Sequence, residues 1–87
     1  MTSTVISGQQ IFRALFDAHA AFVWRVLRRH GVAERDLPDG CQEVFLVLHR
    51  RYAEFEGRSS LKTFLYGVAK MTALNMRRRV RLSLIHI

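Results

Sequence analysis

Cysteine occurs once, as Cys41, and proline once, as Pro38. A lone thiol cannot close an internal disulfide, and its apolar neighbours suit a buried sulfhydryl acting as a small hydrophobe. A single proline leaves the chain free to form long helices, and with 49% of its residues hydrophobic the sequence does not read as a disordered polymer. Long apolar runs are also missing. The longest clean one, Val44-Phe45-Leu46-Val47-Leu48, falls far short of the ~20 residues a membrane-spanning helix needs. The first ten residues hold no basic start followed by an apolar stretch, so no export signal is legible. These absences lead us to expect a cytoplasmic location. A chain of 87 residues has room for one domain, and one this size buries only somewhat more than ~60% of its unfolded surface.

Acid is missing from one part of the chain. Up to Glu56, Arg13, Arg25, Arg28, Arg29, Arg35, Arg50 and Arg51 are balanced by Asp17, Glu34, Asp36, Asp39, Glu43, Glu54 and Glu56. Beyond Glu56, Arg58, Lys62, Lys70, Arg77, Arg78, Arg79 and Arg81 meet no carboxylate, so the net charge of +7 belongs to the last third of the chain. Such a concentration attracts polyanions, either nucleic acid or an anionic membrane surface. A membrane-surface role fits poorly, because the basic face lacks a large exposed apolar counterpart.

What is present is helical periodicity. From Gln9 to His30 the positions Phe12, Leu15, Phe16, His19, Val23, Val26 and Leu27 recur at steps of three and four, and Gly31 comes next as a stop. Asp36 is a candidate cap for a second helix, with Pro38 tolerated in its first turn. That helix carries Cys41, Val44, Phe45, Leu48 and Tyr52 inward, and Leu46 and Val47 suggest burial on a further side. Gly57-Arg58-Ser59-Ser60 breaks the pattern, with Ser59 or Ser60 able to cap the next helix. A third helix is expected from about Leu61 to about Arg79, with Leu61, Phe64, Leu65, Val68, Thr72 and Met76 inward and Lys62, Tyr66, Lys70 and Arg77 on another face. No segment alternates as a strand does. The expected architecture is all-α, a compact antiparallel three-helix bundle.

The third helix combines cations with Phe64 and Tyr66, a mixture suited to single-stranded nucleic acid because rings stack on unpaired bases while cations follow the phosphates. The alternative is a solvated basic face over core aromatics. Asp39, Gln42 and Glu43 share one face of the second helix, either as helix-stabilising surface groups or as a docking face. His19, His30, His49 and Cys41 show no zinc-ligand spacing, and no nucleophile motif or phosphate-cradling glycine loop is present. His19 reads as a core-edge residue and His49 as part of a polar surface.

The string "DLPDGCQEVFLVLHRRYAEFEGRSSLKTFLYGVAKMTALNMRRR", Asp36 to Arg79, resembles region 2 of the extracytoplasmic-function group of sigma factors in the sigma-70 family. The "QEVF" helix, the "F-x-G-x-S-S" loop and the "T-[WF]-L-Y-x-[IV]-A…A-L-N…R-R" helix occur in order, and "LFDAHAAFVWRVLRRHGV" resembles the family's first helix. The likeness covers roughly residues 9 to 81. It implies a non-catalytic factor, with no metal or cofactor, that binds the RNA polymerase core and recognises and melts the promoter −10 element. Asp39, Gln42 and Glu43 would dock on the clamp helices of the largest polymerase subunit. Arg58, Ser59, Ser60, Lys62, Phe64, Tyr66, Lys70, Asn75, Arg77 and Arg78 would meet the non-template strand, where a base is flipped from the stack. Phe64 stands where tryptophan is common, which favours packing over stacking for its ring. An anti-sigma factor is a further partner class that the resemblance brings in. The rival reading is a stand-alone helical nucleic-acid-binding protein that never touches polymerase.

Family members continue into a second helical domain that reads the −35 element, and none of it is present here. We therefore expect residues 1 to 8 to be a flexible tail, 9 to 81 the domain, and 82 to 87 a non-native ending. Leu82-Ser83-Leu84-Ile85-His86-Ile87 is the translation of CTGTCTCTTATACACATC, which resembles a transposase adaptor used in sequencing libraries. Independently amplified genomic DNA is expected to carry different codons after Arg81. Recovery of the same six codons would overturn that expectation.

Overall fold

The computed structural model describes the backbone of residues 8–55 and 60–85, and side chains of residues 10–52 and 60–82. Three helices account for nearly all of it: α1, Gly8–Arg29; α2, Leu37–Phe55; and α3, Leu61–Ile85. A 3-10 turn, Glu34–Asp36, leads into α2. Each helix packs on the other two, with α2 running against α1 and α3, so the expected antiparallel three-helix bundle is the observed fold. Residues 1–7 of the expected N-terminal tail lie outside the described residues, and its last residue, Gly8, already begins α1.

The end of α1 is built by its glycine. Gly31 has φ +94°, a left-handed conformation that costs other residues dearly. This lets the Gly31 N–H reach the Arg28 carbonyl at 3.1 Å and the Val32 N–H reach the Leu27 carbonyl at 3.1 Å, the paired bonds of a Schellman ending. Leu27 and Val32, the two side chains such an ending brings together, are both buried. Arg28 and Arg29 occupy the last turn of α1, where cations favour the helix dipole.

Asp36, expected as the cap of α2, makes no side-chain cap. It closes the 3-10 turn with its own N–H on the Ala33 carbonyl at 2.8 Å, and αR Leu37 carries the chain straight into α2. Pro38 falls in the first turn, as expected. Ser60 does cap α3: its Oγ accepts the Thr63 N–H at 3.0 Å. α3 runs to Ile85, past the expected end at Arg79, because nothing from Val80 to Ile85 is a glycine or proline that would stop it.

The core comprises Val23, Val26 and Leu27 of α1; Leu37, Cys41, Val44, Phe45 and Leu48 of α2; Leu65, Ala69 and Ala73 of α3; and Val32 from the turn. The apolar pattern predicts Leu65, but not Ala69 and Ala73, whose small side chains let α3 approach its neighbours. Thr72 is buried as expected. Leu46, expected inward, is 51% exposed, because a helix with two neighbours leaves one side to water. Val47 is half-buried, while Tyr52 and Phe16 stand at the rim, Phe16 tilted onto Phe45 with ring centroids 4.8 Å apart.

Gly40 marks where all three helices meet. A Cβ there would lie 3.0 Å from Met76 Sδ of α3 and 3.2 Å from Leu27 Cδ1 of α1. Leu27→Ala should therefore cost about 2–5 kcal/mol, the range for emptying a core site that cannot collapse. Gly31→Ala should cost about 1–2 kcal/mol through its left-handed backbone alone. In urea melts both variants are expected to unfold at lower midpoints with an unchanged slope. A Gly31→Ala protein as stable as the parent would refute the role given to the turn.

Candidate nucleic-acid interface

Capped by Ser60, α3 projects Lys62, Tyr66 and Lys70 from successive turns, with Arg77 two turns further along the same side. All four are exposed. This flank lies against α1. Lys62 Nζ sits 4.9 Å from the Phe22 ring centroid, and Lys70 Nζ sits 5.6 Å from that of Tyr66. The His30 ring meets Tyr66 edge-on at 5.9 Å and is held by its Nδ1–H donating to the Val26 carbonyl at 2.9 Å. The Arg77 side chain lies across Gly31, its Cδ 3.3 Å from where a Cβ would stand. Tyr66 thus offers a supported, 42% exposed ring in a row of cations. Cation–π contacts of this kind hold the lysine stems in place while leaving the charge in water.

The other predicted contact residues fall elsewhere. Phe64 is half-buried and packs on the core. With Asn75 it lines a shallow concavity between α3 and α2, shared with Val47, Arg51 and Met71. Asn75 and Arg78 are exposed. Ser60 spends its hydroxyl on Thr63, whose own hydroxyl lies 2.7 Å away. Arg58 and Ser59 lie outside the described residues.

Asp39, Gln42 and Glu43 do share one face of α2, with Asp39 and Gln42 exposed. They line a groove with Leu46, Met76, Arg79 and Val80. Leu46 lies four residues beyond Gln42, so helical spacing could have found it; Arg79 could not be found that way. Its guanidinium reaches Glu43 in a two-pronged bond, at 2.9 Å and 3.3 Å. The hydrogen bond first and the opposite charge second raise the Arg79 pKa above its ordinary value, so the arginine stays charged. In the sequence Arg79 stands among the uncompensated cations. The fold neutralises it and ties the end of α3 to the acidic face of α2.

The sequence matches the model of the Sigma-70 region 2 family over residues 15–82, which takes in most of α1, all of α2 with its acidic face, and most of α3 with its basic flank. This chain belongs to the sigma-70 region 2 family. Against the curated proteins the sequence gives no significant match. The family is one of non-enzymatic transcription initiation factors, and its role is promoter recognition, with RNA polymerase core and promoter DNA as its general partners.

In this region 2 domain the groups that would suggest other chemistry are occupied by structure. Among the described residues no three or more His, Cys, Asp or Glu side chains converge as a metal site would require, and no helix is long and apolar enough to cross a membrane. His49 is exposed, edge-on to Phe12 at 5.3 Å, and His19 is half-buried at the edge of the core. Cys41 is buried in the core, and burial pushes its thiol above the ordinary value of 9.0. Thiol reagents at neutral pH should therefore react with Cys41 only as fast as the domain opens. Because the unfolded thiol ionises first, stability should decline as pH rises through and beyond 9.0. Immediate labelling of the folded protein would contradict this burial.

Proposed function

We propose that this domain belongs to an extracytoplasmic-function type sigma factor, docking on polymerase through α2 and capturing unpaired non-template bases of the −10 element along α3. The observation that carries the reading is Tyr66, an exposed ring braced by His30 and Lys70 within the row Lys62, Lys70 and Arg77. Extracting a base from a duplex costs a few kcal/mol. One stacked base returns ~1–3 kcal/mol on an aromatic surface, and phosphate contacts add to it. Melting is then a consequence of capture, with no chemical step. Asn75 and the Phe64 concavity supply a polar group and an apolar wall on the opposite side of α3.

Asp39, Gln42 and Glu43 form the docking face in this reading, complementary to a basic coiled coil such as the clamp helices. Complementary charge of this kind governs orientation and association rate. The exposed Leu46 in the same groove adds an apolar contact to be buried on docking. The protein would act in the cytoplasm, where polymerase and promoters are found.

Two sets of substitutions test the division of labour. Asp39→Ala with Gln42→Ala should weaken binding to core polymerase and leave single-strand affinity intact, with stability changed by within about 0.5 kcal/mol as for most surface sites. Glu43 is kept so that its bond to Arg79 survives. Lys62→Ala with Lys70→Ala should weaken binding to a −10-like single strand, and the slope of log affinity on log salt should become shallower by about 0.7 per lost contact. Loss of both activities in either folded variant would defeat the reading. A wild-type domain that binds single strands but not core polymerase would point to a stand-alone nucleic-acid-binding protein.

A further inference from the structure

In the sequence the candidate docking face belongs to α2 alone. The fold adds a wall from α3, because Met76, Arg79 and Val80 line the same groove as Asp39 and Glu43. Met76 packs at Gly40 of α2, its Sδ 3.0 Å from where a Cβ would stand, and Arg79 lies one turn further along α3. From there its guanidinium bonds Glu43 Oε1 at 2.9 Å and Oε2 at 3.3 Å, one nitrogen to each oxygen. A carboxylate has about four lone-pair sites, so a fork that takes one on each oxygen leaves the others for a second donor. With Asp36 and Asp39 also on the lining, three carboxylates face one guanidinium and the groove stays net negative.

Arg79 acts on a basic partner in two opposed ways. Its charge repels the partner's cations, and its fork orders the carboxylate they would meet. The Arg79 and Glu43 side chains are 60% and 37% open to solvent, so water weakens the repulsion. A glutamate already held in one orientation has fewer rotamers to lose when a partner fixes it. Ordering therefore outweighs repulsion. We infer that Arg79 is a positioning residue for polymerase binding, holding Glu43 in the orientation in which its carboxylate accepts a cation of the docking partner. The docking face then extends from α2 onto α3. This rests on the proposal that the α2 face docks on polymerase.

The test titrates the full chain with RNA polymerase core. Arg79→Ala should weaken binding on the order of 3-fold, the scale set by ordering one flexible side chain. In a Glu43→Ala background the same substitution should change nothing, because no carboxylate is left to hold. Arg79→Lys keeps the charge but loses the fork, and should recover only part of the affinity. Circular dichroism verifies that each variant is folded. Tighter binding by Arg79→Ala would make the arginine a competitor for Glu43 and overturn the inference, as would unchanged binding. Full recovery by Arg79→Lys would leave charge alone responsible and overturn it as well. An equal loss in the Glu43→Ala background overturns it too, since Arg79 would then act without Glu43. If the wild-type chain does not bind core polymerase, or if Asp39→Ala with Gln42→Ala leaves binding intact, the docking reading fails and the positioning role fails with it.

Discussion

Everything in this domain depends on the close approach of three helices at Gly40. Leu27 and Met76 reach within 3.0–3.2 Å of the space a side chain would take there, and Leu27 is fully buried. That contact sets the start of α2 and the second half of α3 against the end of α1. The Schellman turn at Gly31 reverses the chain tightly enough for it to form. Two surface features, the groove of Asp39, Gln42 and Glu43 and the concavity of Arg35, Arg77 and Arg81, open on either side of this junction. They share Asp36, Met76 and Val80 as common wall.

A shared wall makes the two faces neighbours rather than independent modules. Glu43 on the α2 face is bonded to Arg79 of α3, so a partner that engages Glu43 meets a carboxylate already held by an internal cation. Both side chains are substantially exposed, and pairs of that kind contribute little to stability because water screens them. Their consequence is geometric: the bond orients Glu43 in its groove and withdraws Arg79 from the uncompensated cations of α3.

On the opposite flank of α3, electrostatics and packing are arranged together. Lys62, Lys70 and Arg77 are each laid against a ring or a glycine turn, so part of the conformational entropy of a long side chain is already lost before a ligand arrives. Cations preordered in this way beside a braced tyrosine have less freedom left to lose on meeting any partner than the same residues on free stems.

Helical class, the number of helices and the starts of all three were legible in the sequence, because apolar steps of three and four, Gly31 and Ser60 are local signals. The face formed by Asp39, Gln42 and Glu43 and the row Lys62, Tyr66, Lys70 and Arg77 were legible for the same reason: residues three, four and seven apart share a side of one helix. Contacts between helices were not. Nothing in the spacing shows that Arg79 is spent on Glu43, that Arg35 joins Arg77 and Arg81, or that Ala69 and Ala73 form the core. Periodicity records which residues share a side of a helix. Only tertiary packing decides what that side meets, because the crossing of α1, α2 and α3 is set by side chains far apart in the chain.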